Sequence, residues 1–288
     1  MKILIIVILL MILLFLVNII RDGNRFRVVS YQLENEKITK EYTFVVLADL
    51  HNKVYGRNHK KLLKAIEKEH PVAVLIAGDL LTAKPGKPLS IALDLLEQLE
   101  KKYPIYYGMG NHETRLFLYP QVYGTMGEEY EKGLKKMGIS FLRNESKNLG
   151  EEVVITGLDL KRDFYKRLKK TVMPPEYLTN TLGEASQKKY QILLAHNPDY
   201  FEEYSIWGAD LVLSGHVHGG MVRIPFLGGV ISPALRLFPK YDGGQFFYKK
   251  SSMILSRGLG MHTIPVRIFN PGELVVVKLL PENHRKKC

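Results

Sequence analysis

Two histidines one residue apart, His216 and His218, stand in the run Ser214-Gly215-His216-Val217-His218-Gly219-Gly220, directly after the apolar stretch Ala209–Leu213. Alternate side chains leave an extended backbone on opposite sides, so such a pair can offer one imidazole to each of two neighbouring metal ions. The flanking glycines let the main chain crowd those ions. A surface turn that happens to hold two histidines is the plain alternative, and other stretches must decide. Asp49 and His51 follow the apolar run Thr43–Ala48, Asp79 follows Val72–Ala77, Asn111 and His112 follow Ile105–Tyr107, and His196 follows Tyr190–Ala195. A lone aspartate at a strand's end is usually a helix cap or turn residue, and a lone histidine is usually an ordinary surface or core residue. Eight such groups together, five of them from the chain's nine histidines, weaken that explanation. Two carboxylates, one amide oxygen and several imidazoles suit manganese, iron or zinc. The one cysteine, Cys288, excludes an internal disulfide and a thiolate-held structural zinc.

The elements that must position these groups follow a repeating pattern. Strands are expected over Phe26–Leu33 (an edge strand), Thr43–Ala48, Val72–Ala77 and Ile105–Tyr107, with helices over Asn58–Glu69 and Ile91–Lys102 between them. An amphipathic helix over Glu128–Met137 and strands over Ile139–Leu142, Val153–Gly157 and Tyr190–Ala195 come next. Beyond Gly220 the chain turns β-rich, with strands near Phe246–Tyr248, Met253–Ser256, Val266–Phe269 and Leu274–Leu279 completing a second sheet. Such alternation predicts an α/β fold with reactive groups at the carboxyl ends of the strands.

Residues Ile3 to Ile20 form an 18-residue apolar segment broken only by Asn18, about 27 Å long as a helix. No small residues stand where a signal peptidase would need them, so an uncleaved, single-pass membrane anchor is expected. Lys2 on one side and Arg21, Arg25 and Arg27 on the other leave the membrane side of the following domain open, with a bias towards the cytoplasm. The expected divisions are an anchor over 1–22, a linker and edge strand over 23–42, one domain over 43–280 and a basic tail over 281–288. Lys and Arg outnumber Asp and Glu by 41 to 29, an excess of 12. That points to a phosphorylated substrate, acidic headgroups or nucleic acid, or simply to a solvated basic surface. The basic segment Lys161–Lys170 could cover the site, touch a membrane or be a solvated loop.

In order, the chain carries Asp-x-His (Asp49, His51), Gly-Asp (Asp79), Gly-Asn-His-Glu (Asn111, His112, Glu113), a lone His196 and Gly-His-x-His (His216, His218). These blocks resemble the signature of the calcineurin-like metallophosphoesterases, over about Thr43 to Leu280. The resemblance implies a four-layer αββα sandwich of two mixed sheets flanked by helices, here preceded by one transmembrane helix. It also implies two divalent metal ions, one held by Asp49, His51 and His218, the other by Asn111, His196 and His216, with Asp79 bridging. His112 would ligate neither and would assist the leaving group. The stretches Gly219–Pro225 and Ser256–Gly260 look like the small membrane-associated bacterial branch, some members of which hydrolyse a UDP-linked diacylated glucosamine. That branch usually has Gln where this chain has Met221.

Two cations roughly 3.5–4 Å apart can share a water, lower its pKa and hold the hydroxide in line with phosphorus. The function this implies is phosphodiester or pyrophosphate hydrolysis, on a lipid-linked or cell-envelope phosphate compound. Glu113 is expected to orient an imidazole or to serve as a helix N-terminal carboxylate. A nuclease or a phosphodiesterase of soluble compounds is the rival, although the basic residues are dispersed and the sequence alone certifies no aromatic-interleaved basic groove. A binding module on the same scaffold would be expected to lose ligands first.

Overall fold

The computed structural model describes residues 2–166, 170–220, 222–224, 227–231, 237–261 and 266–282. The chain opens with α1 (Lys2–Asn24), β1 (Phe26–Asn35) and β2 (Tyr42–Leu47). Next, α2 (Lys60–Lys68) leads into β3 (Ala73–Ala77) and α3 (Ser90–Glu100) into β4 (Ile105–Gly108). Three helices, α4 (Asn111–Leu118), α5 (Pro120–Tyr123) and α6 (Met126–Lys136), precede β5 (Ser140–Leu142). Then come β6 (Glu145–Leu149), β7 (Val153–Gly157), α7 (Tyr177–Leu182), β8 (Tyr190–Leu194), α8 (Phe201–Trp207) and β9 (Leu211–Ser214). A small hairpin, β10 (Val222–Ile224) and β11 (Gly228–Ile231), is followed by β12 (Gly244–Tyr248), β13 (Ser251–Leu255) and β14 (Gly272–Pro281).

Strands such as β3 and β8 are apolar runs because they are buried on both faces. The first sheet has the order β1-β14-β2-β3-β4-β5, and the second β12-β13-β9-β8-β7-β6. Both are mixed: β14 runs antiparallel to β2, while β2 to β5 are parallel. In the second sheet β13, β9, β8 and β7 are parallel and the edge strands β12 and β6 are antiparallel. One core, with Val45, Leu62, Val74 and Leu95, lies between α2, α3, α6 and the first sheet. A second, with Phe44, Leu75, Ile192 and Leu213, fills the space between the sheets. The third, with Tyr204, Trp207, Val212 and Met253, packs α8 on the second sheet. The result is the expected α/β sandwich of two mixed sheets between helical layers.

Three expectations need correction. Leu274–Leu279 does not complete the second sheet: β14 inserts into the first, between β1 and β2. There its apolar side chains are buried, with Val275 and Val277 in the core between the sheets and Val276 in the core beneath the helices. Val266–Phe269 is no strand but a single bridge, Ile268 to Val222, because Arg267 turns inward and donates to the carbonyls of Arg257, Gly258, Gly260 and Asn270. The His216–His218 backbone is not extended, since both residues have positive φ, 73° and 53°. The helix α1, 23 residues with mean hydropathy 3.5 over its most apolar window, is long and apolar enough to cross a membrane by length and composition. Residues 283–288 of the expected tail, Met221, and Arg167 to Lys169 of the basic segment lie outside the described residues.

Candidate metal centre

The carboxyl ends of β2, β3 and β4 from one sheet, and of β8 and β9 from the other, meet at one place. There Asp49, Asp79, Asn111, His112, His196 and His218 are all buried. Three groups of donor atoms lie within 4.8 Å of one another: Asp49, His51 and His218; Asp79, His196 and His216; and His51, Asp79 and His112. Asp79 belongs to two of them. Its Oδ1 accepts the backbone N–H of His112 (2.8 Å) at the start of α4. Its Oδ2 is left to face His196 Nε2 at 3.2 Å, His51 Nε2 at 3.7 Å and His112 Nε2 at 4.0 Å. Asp49 Oδ1 stands 3.2 Å from His218 Nε2 and 3.6 Å from His196 Nε2. The His51 and His218 rings stack at 5.0 Å with their Nε2 atoms 3.2 Å apart.

Five of these residues, Asp49, His51, Asp79, His216 and His218, sit at φ between 49° and 73°. That left-handed region costs a non-glycine residue roughly 1 kcal/mol or more each. Backbone bonds across the strand ends hold them there: Asp49 N to Gly78 O (3.0 Å), His51 N to Asp79 O (3.1 Å) and Gly215 N to His196 O (3.1 Å). The tight turn also explains how His216 and His218 part company. His216 lies against His196, ring centroids 5.3 Å apart, and His218 against His51. This follows from the turn Val217 N to Gly215 O, not from strand alternation. Its start fits closely, for His216 N–H donates to the Asp49 carboxylate, and a Cβ on Gly215 would come within 2.4 Å of Asp49 Oδ2.

Burial alone would lower the His196 imidazole, but the Asp79 and Asp49 carboxylates beside it push its pKa up to about 10. Burial would raise both aspartates, and the surrounding imidazoles hold each below the ordinary carboxylate range instead. His216 is carried down to about 3 by burial and by the neighbouring His196. Burial likewise lowers His51 and His112. Second contacts orient the rings: His196 Nδ1 bonds Ala77 O (2.7 Å), so Nε2 faces the carboxylates. His112 Nδ1 accepts the N–H of Ala83 (2.9 Å), which puts the proton of its neutral form on Nε2.

The residues present fit a pair of divalent cations. The side-chain oxygen of Asn111 is buried with no hydrogen-bond donor, as a metal-ligating amide oxygen would be. The Asp49 and Asp79 carboxylates and the ring nitrogens of His51, His196 and His218 stand 3.2–3.9 Å apart, a donor set that divalent cations accept.

Glu113 does not orient an imidazole. Its carboxylate accepts from the N–H groups of Asp79 (2.8 Å), Leu80 (2.9 Å) and Gly110 (3.0 Å) and from the Tyr107 hydroxyl (2.7 Å). It therefore caps α4 and clamps the Asp79 loop to it, while burial and the Asp79 charge raise its pKa to about 7. In the described part of the basic segment, Tyr165 reaches the site, its ring edge-on to His216 at 5.1 Å. Sequence reasoning missed Tyr165, whose only signal was being an aromatic among charges. It also missed Asn270, which donates to the carbonyls of His218 and Gly220 (2.7 Å each) and carried no signal at all.

Residues 42–220 match the profile of the calcineurin-like phosphoesterases. The chain is 31% identical over 258 residues to a metallophosphoesterase of Aquifex aeolicus, covering 88% of this chain and 91% of the relative. It is 30% identical over 256 residues to one of Campylobacter jejuni, with 87% of this chain and 62% of the relative covered. Against one of Helicobacter pylori it is 28% identical over 260 residues, with 86% and 62% covered. The chain thus spans less than two thirds of the length of the last two relatives. The profile match runs from β2 through the His216–His218 turn, across every strand end that contributes to the cluster, and this chain belongs to the calcineurin-like phosphoesterase family.

Proposed function

We propose that this protein hydrolyses phosphodiester or pyrophosphate bonds with two divalent cations, and that its substrate is lipid-linked. The observation that carries the reading is the shared position of Asp79 between two His/Asp groups. Asp49, His51 and His218 would hold one cation and Asn111, His196 and His216 the other, with Asp79 shared between them. Two cations there, whether manganese, iron or zinc, supply a nucleophile at neutral pH and neutralise charge on the phosphate. The chain's own groups do the rest. His112, with its proton on Nε2, donates to the leaving oxygen as charge builds there, a contribution typically about 10²–10⁴-fold. Tyr165 packs edge-on against His216 and would screen that side of the site from water. Glu113 fixes the Asp79 loop, so Asp79 would already be in place for a cation.

The lipid-linked part of the reading is supported by α1. Its last turn is hydrogen-bonded to the segment that carries Asn270, and Asn270 holds the His218 loop. A site so close to an anchor would work within reach of headgroups, as in the branch that hydrolyses UDP-linked diacylated glucosamine. The test reconstitutes the full chain with metal in mixed micelles. It compares kcat/KM for acylated and deacylated forms of one nucleotide-sugar substrate, alongside simple diesters and nucleic acid. Preference for the acylated form supports the reading. Equal rates would leave a phosphodiesterase of soluble compounds, and preference for nucleic acid would make the protein a nuclease.

A further inference from the structure

The anchor helix is not a loose tether. Asp22 is fully buried, and its carboxylate accepts the N–H of Asn270 (2.9 Å) and pairs with Arg25 (2.7 Å). One turn earlier, Asn18 Oδ1 accepts the N–H of Phe269 (3.2 Å). Asn24 accepts from Lys53 Nζ (2.8 Å), and Gly23 lies so close to Met261 that an added Cβ would be 3.3 Å from its sulfur. Residues 269 and 270 therefore run alongside the last turn of α1, and the helix leaves the domain in a fixed direction.

That docking sets a depth. Asn18 lies two residues inside the end of the apolar run at Ile20, about 3 Å along the axis. The Phe269 main chain stands level with it, at the boundary a bilayer would have around this helix. From there a small ladder continues: Ile268 bridges Val222, Arg223 N–H donates to Ile268 O (3.0 Å), β10 pairs with β11, and Ile231 bridges Leu237. This ladder exposes large apolar side chains: Phe269 at 58%, Leu227 at 64%, Leu237 at 67%, Phe238 at 63% and Ile224 at 42%. Such a cluster is costly to leave in water and suits the interfacial zone, where apolar faces enter about 5–10 Å.

We propose that Ile224, Leu227, Leu237, Phe238 and Phe269 form a lip seated in the bilayer interface beside α1. The lip holds the domain at one tilt and keeps the His218 side of the metal centre against the headgroups. The occupant is a lipid surface rather than a protein, because the hydrogen bonds of Asn18 and Asp22 bring this patch to the helix at the level where its apolar run ends. Arg21, in the last turn of α1, and Lys53 supply positive charge near the same level for anionic headgroups. The proposal rests on reading α1 as a membrane-spanning helix, and the test separates the two.

The full chain, carrying Cys288→Ser, is reconstituted into phosphatidylglycerol–phosphatidylcholine vesicles with a single environment-sensitive fluorophore on Leu227→Cys, Leu237→Cys or Phe269→Cys. Leu10→Cys reports on the helix. Lys101→Cys, just after α3 on the amino-end side of β4 and so at the end of the first sheet away from the metal centre, reports on water. Melting curves confirm that each variant folds. The expected result is emission shifted to the blue and quenched by spin-labelled lipid at 227, 237 and 269 as at 10, with no quenching at 101. Quenching at 10 but solvent-like emission at all three lip positions overturns the lip while leaving the helix in the membrane. Solvent-like emission at 10 as well overturns the spanning helix and the lip with it.

Discussion

His196 sets a measurable proton cost on metal binding. Its Nε2 lies 3.2 Å from Asp79 Oδ2 and 3.6 Å from Asp49 Oδ1, and these carboxylates outweigh burial to raise its pKa to about 10. In the metal-free protein the His196 ring should therefore keep its proton at neutral pH, held by those two carboxylates. The folded-state pKa is above the ordinary value of about 6.5. The proton accordingly contributes stability to the metal-free fold that is fully present below pH 6.5 and is lost as pH rises through 10. A metal must displace it. At pH 7.5 the gap of about 2.5 units corresponds to about 3 kcal/mol, or roughly 300-fold weaker affinity than for the fully deprotonated ring. Affinity at this position should climb about tenfold per pH unit between 6.5 and 8.5. His51 and His216 add little, since burial holds both low. Titration calorimetry of the full chain in buffers of different protonation enthalpy counts the protons released. Nitrogen chemical shifts of the histidine rings assign them, with His196→Asn identifying the resonance. An imidazolium still present at pH 7.5 in metal-free protein, vanishing on metal addition, is expected. A ring at position 196 that is neutral at pH 7.5 without metal, with affinity flat in pH, would refute the argument.

Asp79→Asn should lose turnover and at least one of the two metals, because an amide oxygen cannot bridge two cations as a carboxylate does. Metal analysis of the purified variant checks this, and two metals with an unchanged rate would remove Asp79 from the bridge. His112→Asn should keep its metals and lose about 10²–10⁴ in rate with alkyl leaving groups but much less with nitrophenyl ones. An equal loss with both would take His112 away from the leaving oxygen. The His216 pKa of about 3 lies below its unfolded value, so the stability it gives is present above pH 6.5 and lost as pH falls towards 3. The melting temperature of metal-stripped protein should drop below pH 6.5, and His216→Asn should flatten that slope. The same slope in the variant would mean that other groups cause it.

Much was legible in the sequence because the fold writes it locally. Strands buried on both faces must be apolar throughout, so an aspartate or histidine directly after such a run marks a strand's exit. Asp49, Asp79, Asn111, His196 and His216 could all be found this way. The α/β class follows from the same alternation of apolar runs and amphipathic helices. What the sequence left open depends on partners far along the chain. Glu113 reads equally as an imidazole's partner or a helix cap until the Asp79 loop, 34 residues earlier, is seen donating to it. β14 reads as part of the last sheet because local pattern specifies burial, not the neighbouring strand, and only tertiary packing inserts it between β1 and β2. The left-handed backbone at five clustered residues is imposed by hydrogen bonds between strand ends that no propensity encodes. In the sequence Asp22 is only a charge after an apolar run. Only the fold brings Asn270 to it from 248 residues away and turns the end of α1 into a support for the His218 loop.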